Sequence, residues 1–205
     1  MRESASRAIV IQNLKQIKLE KQMQNVTIDS FQLVETHAVA KAWDPERKLH
    51  GGKFFYTTPK NDAKKGGVAQ WQLSTEFETN IKRKYSNYYI HTVTKINGCN
   101  LHTFTVYVPP DFKAEDRFNI LKQLTFALDC EIQVAKGLNH VIVCGDFNKL
   151  GLENMETIAN ARGLKKVATA TRFNNELDAV YVSQSIELIK QETRQTGSDH
   201  LMIIT

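Results

Sequence analysis

The chain is poor in the residues that cross-link a fold or span a bilayer. Its three cysteines, Cys99, Cys130 and Cys144, are odd in number and far apart, and no Cys-x-x-Cys pair occurs. Neither a disulfide framework nor a zinc site is therefore expected. No apolar run approaches the roughly 18 to 20 residues that a membrane span requires. The opening Met1-Arg2-Glu3-Ser4-Ala5-Ser6-Arg7 leads into an apolar stretch too short for a secretory signal. An intracellular protein without a membrane partner is expected. With 4 prolines and 10 glycines, the chain shows no low-complexity segment or linker, and no repeats.

What is present is ordinary globular material: 41% hydrophobic and 24% charged residues over 205 positions. That length suits one domain, residues 1–205, with a substantial core. The formal charge is +5 and the pI about 9.0, which suits a polyanionic partner without requiring one. The lysines cluster at Lys60, Lys64 and Lys65, at Lys82-Arg83-Lys84, and at Lys165-Lys166.

Ala8-Ile9-Val10-Ile11 reads as a short buried strand ending at Asn13, and Leu14 to Gln24 as an exposed helix. Ile28 to Val34 returns to strand and delivers Glu35. Gly51-Gly52 and Gly66-Gly67 bracket a hairpin that resumes at 67–73. Tyr88 to Lys95 and Asn100 to Val108 flank Asn97-Gly98, a strong hairpin turn signal, and Pro109-Pro110 ends the second strand. Ala114 to Ala135 has helical spacing, with Phe118, Leu121, Leu124 and Leu128 on one face. Leu152 to Ala161 reads as a helix closed by Gly163, followed by strands at 177–182 and 201–204. Strands at both ends with helices between them favour one α/β domain, two sheets packed together with helices outside.

Chemistry concentrates in two places. Val141-Ile142-Val143-Cys144 is an apolar strand that ends in Gly145-Asp146-Phe147-Asn148, and Ser198-Asp199-His200 precedes the last strand. Polar groups at strand ends meet at the rim of a sheet. Two acids, an amide and a histidine are the parts needed to hold a divalent cation and cleave a phosphate ester. His37, His50, His91, His102 and His140 match no such pattern and read as surface or core residues, and Trp43 and Trp71 as packing.

These segments resemble the endonuclease/exonuclease/phosphatase superfamily, which includes deoxyribonuclease I, exonuclease III-type repair nucleases and retrotransposon endonucleases. Ile9-Val10-Ile11-Gln12-Asn13 is similar to its first strand, Phe31-Gln32-Leu33-Val34-Glu35-Thr36-His37 to its glutamate segment, and Val106-Tyr107-Val108-Pro109-Pro110 to its tyrosine strand. Glu176-Leu177-Asp178-Ala179-Val180-Tyr181-Val182-Ser183 is similar to the strand whose aspartate orients the catalytic histidine. Six motifs in the family's order span residues 8 to 204. The resemblance implies a four-layer α/β sandwich, two packed mixed β-sheets flanked by helices. It implies that Glu35, with Asn13 and Asp199, holds Mg²⁺ or Mn²⁺, and that Asn148 and Tyr107 donate to phosphate oxygens. It further implies that Asp178 fixes the tautomer of His200. Either Asp146 or His200 takes the proton of the attacking water.

Two departures stand out. The interval from Asp146 to Asp178 is short, where substrate-gripping loops are expected, and Asn175-Glu176-Leu177-Asp178 lacks the aromatic of abasic-site repair enzymes. Lys64-Lys65-Gly66-Gly67-Val68-Ala69 and Pro109-Pro110 look most like retrotransposon-type endonucleases, and the ending soon after His200 suits an excised nuclease domain. The expectation is a nicking endonuclease on duplex DNA, contacted by Lys64, Lys65 and Arg172. It would come from a mobile element's polyprotein, and would be nuclear if the source is a eukaryote. A phosphatase or phospholipase on inositol phosphates or other phosphoesters, an abasic-site repair nuclease, and a non-catalytic binding module are the competing readings.

Overall fold

The computed structural model describes residues 2–25, 27–34, 52–57, 67–74, 76–85, 88–111, 113–134, 139–172, 175–195 and 201–204. Helix α1 runs Arg2–Met23, so the expected strand at 8–11 is helical and Asn13 sits mid-helix. Four apolar residues are too few to separate strand from helix. The longer-range pattern decides: Leu14, Ile17 and Lys21, at i, i+3 and i+7, form one buried face. Lys, Gln, Glu and Leu around them are good helix formers.

Strands β1 (Ser30–Leu33), β2 (Lys53–Tyr56) and β3 (Ala69–Gln72) form an antiparallel sheet in the order β1-β3-β2. The expected hairpin is its β2–β3 pair, with Lys53 opposite Gln72. One face, carrying Phe31, Ala69 and Trp71, packs under Leu14 of α1. The other face meets a second sheet.

That second sheet has six strands in the order β4-β5-β6-β7-β9-β8. They are β4 (Thr79–Tyr85), β5 (Tyr89–Ile96), β6 (Cys99–Tyr107), β7 (Asn139–Asp146), β8 (Leu164–Arg172) and β9 (Asn175–Ser183). Asn97 and Gly98 both take positive φ, 49° and 81°, as the tight turn between β5 and β6 requires. Among the described strands, only β6 and β7 run parallel, joined by helix α2 (Ala114–Val134). Helix α3 (Asn148–Asn160) follows β7. Sequence patterning missed β4 and β8, the two edge strands. Both carry lysines and register breaks, which suit an edge and erase alternation.

Alternation along the central strands separates two faces. Phe104, Val106, Val141, Val143, Ala179 and Tyr181 point toward α2 and α3, where they join Leu121, Leu124, Leu128 and Met155 in the main core. Phe118, expected on that buried face of α2, is 63% exposed, and Ile120 is buried instead. The opposite face meets the small sheet through polar links: Thr105 Oγ1 donates to Gln32 Oε1 at 2.7 Å, and Thr92 Oγ1 to Gln70 Oε1. The layers are therefore α1, three-stranded sheet, six-stranded sheet, and α2 with α3: the expected four-layer sandwich. A separate ladder pairs β10 (Glu192–Gln195) with β11 (Leu201–Ile204). Lys21 ties α1 to β10 through Glu192, Nζ to Oε1 2.7 Å.

Candidate active site

Three of the expected residues come together by register. Tyr107 on β6 lies opposite Asp146 on β7, and Asp146 lies opposite Asp178 on β9. Directly paired residues share a face with Cα atoms about 5 Å apart, so a phenol and two carboxylates form one row across three strands. The row is on the side facing the small sheet and is buried: Asp146 is 2% exposed, Tyr107 4% and Asp178 8%.

Local backbone fixes the row. Gly145 has φ +152°, and a Cβ there would stand 1.8 Å from the Val106 carbonyl oxygen, so β6 and β7 approach closely only because this residue is glycine. Past the strand, the Val108 N–H donates to Asp146 O (2.8 Å) and the Phe147 N–H to Leu177 O (2.9 Å). Asn148, at φ +51°, takes a left-handed conformation that asparagine tolerates. Its N–H donates to Asp146 Oδ1 at 2.9 Å, an Asx-type turn that aims the carboxylate. Its Nδ2 donates to Val108 O at 2.8 Å; an amide nitrogen carries two protons, so one remains for another acceptor. Helix α3 begins here, adding the positive end of its dipole.

Val34, just past β1, packs against the cluster of Val68, Ile90 and Tyr107. Glu35, Lys64, Lys65, Asp199 and His200 lie outside the described residues. Asn13 is carried by α1 rather than by a strand. Arg172 ends β8, in register with Asn175. Two residues before Asp146, Cys144 is buried, and burial pushes its thiol up to about 12, so it offers no thiolate. The described donors in the row are therefore hard oxygens, the set that suits Mg²⁺ or Mn²⁺.

Members of two lysine clusters are already engaged. Lys82 and Arg83 pair with Glu131 of α2, at 2.6 and 3.4 Å, and Lys166 pairs with Glu156 and Glu176. At the far end of β5 to β7, Ile96, Leu101, Ile142 and Ile186 line an open apolar groove. It holds no carboxylate and is not the site.

Sequence reasoning also missed a polar cluster on the helix-facing side. His91, His102 and Glu131 are fully buried with one potential ligand atom each, all within 4.8 Å of one another. The signal was available. The Asn97-Gly98 turn sets Ile96 opposite Cys99, which makes His91 and His102 diagonal neighbours on one face.

No family model matches the chain, and comparison with curated proteins finds no match. Solved structures do match. The endonuclease domain of TRAS1, a telomere-specific non-LTR retrotransposon, superposes with a TM-score of 0.62 at 13% identity, over 98% of this chain and 90% of that one. Human Nocturnin's catalytic domain, with bound sulfate, gives 0.63 at 16% identity over 97% and 84%. TDP2 from Caenorhabditis elegans gives 0.61 at 18% identity over 94% and 67%. The chain has the endonuclease/exonuclease/phosphatase fold. Within this deoxyribonuclease I-like fold, the Tyr107–Asp146–Asp178 row stands where β6 and β7 end, and α3 starts beside it.

Proposed function

We propose that the chain, acting as one domain over residues 1–205, is a metal-dependent phosphodiesterase that nicks duplex DNA, as the endonuclease domain of a mobile element. The observation that carries this reading is the register of Tyr107, Asp146 and Asp178. Three motif residues from distant parts of the chain fall in one buried row where β6 and β7 end. The similarity to the retrotransposon endonuclease domain over nearly the whole chain supports the choice of substrate.

Glu35 and Asp199, with Asn13 from α1, would hold Mg²⁺ or Mn²⁺, which when bound neutralises phosphate charge and acidifies a water. Asp146 is aimed by the Asn148 N–H and orients or deprotonates the attacking water. Tyr107 and the second Nδ2 proton of Asn148 stabilise the charge that develops on the phosphate oxygens. Asp178 orients His200, which serves as the acid/base group. Lys64, Lys65 and Arg172 contact the DNA backbone, positioning it without reading its sequence.

The test is a nicking assay on supercoiled plasmid with Mg²⁺ or EDTA, run beside an abasic oligonucleotide and an inositol phosphate. Nicking should vanish with EDTA and fall about 10²- to 10⁴-fold in Asp146→Ala and His200→Ala. Turnover of the inositol phosphate alone would sink the DNA reading in favour of a phosphatase.

A further inference from the structure

On the helix-facing side of the six-stranded sheet, His91 Nε2 and His102 Nδ1 stand 3.0 Å apart, and His102 Nδ1 is 3.4 Å from Glu131 Oε2. All three residues are at most 2% exposed. The His91 ring lies flat on Phe104, with centroids 4.0 Å apart and planes 15° apart, so its direction is fixed. Burial pushes the pKa of both rings down, leaving two neutral imidazoles with lone pairs beside a carboxylate.

We propose that His91, His102 and Glu131 form a binding site for a transition-metal cation of the Zn²⁺ class, separate from the phosphate site on the other face of the sheet. Nitrogen ligands select such a cation over Mg²⁺. Ligands at about 2.0 to 2.1 Å around a tetrahedral ion stand roughly 3.3 Å from one another, and the two distances here bracket that spacing. The proton now shared between the rings need not leave the site. The ring that donates it moves it to its outer nitrogen. Those outer atoms, His91 Nδ1 and His102 Nε2, are buried and make no hydrogen bond. Both facing lone pairs are then free for the ion, with Glu131 as third ligand and water as fourth.

Lys82 and Arg83 now neutralise Glu131, but their side chains are 45% and 29% exposed against 3% for the glutamate. They can turn to solvent while the ligands stay, so the ion enters by displacing them. Once bound, it would cross-link β5 and β6 to α2.

The experiment uses EDTA-stripped full-length protein and Co²⁺ alone as the spectroscopic probe. The expected result is an intense tetrahedral visible band at one equivalent, unaffected by millimolar Mg²⁺ or by Asp146→Ala, and lost on adding Zn²⁺. Lys82→Ala/Arg83→Ala leaves the ligands in place and removes their competitors, so it should bind roughly ten-fold tighter. His102→Gln and Glu131→Gln should lose the band. A folded His102→Gln that keeps it would overturn the proposal. So would a wild type and an 82/83 double variant that both fail to bind Co²⁺ and Zn²⁺, which would make the cluster a hydrogen-bonded core pair only.

Discussion

Gly145 shows how one residue sets the site. Its missing side chain lets the Val106 carbonyl approach, and that contact seats Asp146 beside Tyr107. Gly145→Ala combines an unfavourable φ with a clash against backbone that cannot yield, so it should cost at least about 2 kcal/mol. Urea melts check this, and a loss below about 0.5 kcal/mol would mean that the close approach is not needed. The motif around Gly145 was legible because Gly-Asp-Phe-Asn after an apolar strand is a local pattern. Asn148's bond to Val108 was not, since its partner lies 40 positions away.

At the scale of elements, the β5–β6 hairpin carries both a sequence-readable turn and an unexpected cluster. Burial chiefly, then His102, Lys82 and Arg83, push the His91 pKa down to about 3. The unfolded chain takes up that proton near 6.5, so between these values the unfolded state binds more protons than the folded one. Stability is fully present above about pH 6.5 and falls as pH drops toward 3, by up to about 1.4 kcal/mol per pH unit from this group. In EDTA-treated protein, thermal melts from pH 7 to 4.5 should fall more steeply for the wild type than for His91→Gln. Parallel curves would show that His91 does not stay neutral in the fold. Helix α1 teaches the converse lesson. Its apolar start mimics a strand locally, and the face that packs on Phe31, Ala69 and Trp71 makes it helical.

For the whole molecule, the count of 27 lysines and arginines overstates what is free to meet a polyanion. Glu131 takes up Lys82 and Arg83, Glu156 and Glu176 take up Lys166, and Asp129 takes up Arg162 at 2.8 Å. Among the described residues these cations serve the fold first. Duplex binding should therefore show a modest salt dependence, a loss of roughly 40- to 150-fold between 50 and 200 mM salt, as expected for about three or four phosphate contacts. Fluorescence anisotropy with a labelled duplex measures this. Affinity unchanged across the range would remove the electrostatic basis of the DNA reading.

By itself, the sequence determined the central strands, the Asn97-Gly98 turn and the α2 and α3 helices, because each rests on local spacing or turn chemistry. Tertiary structure decided what local signals cannot carry. It decided which face each strand turns inward, that Tyr107, Asp146 and Asp178 share one row, that α1 is helical, and that His91 and His102 meet Glu131. These depend on pairings between distant segments, where a slip of one residue would turn every side chain to the opposite face.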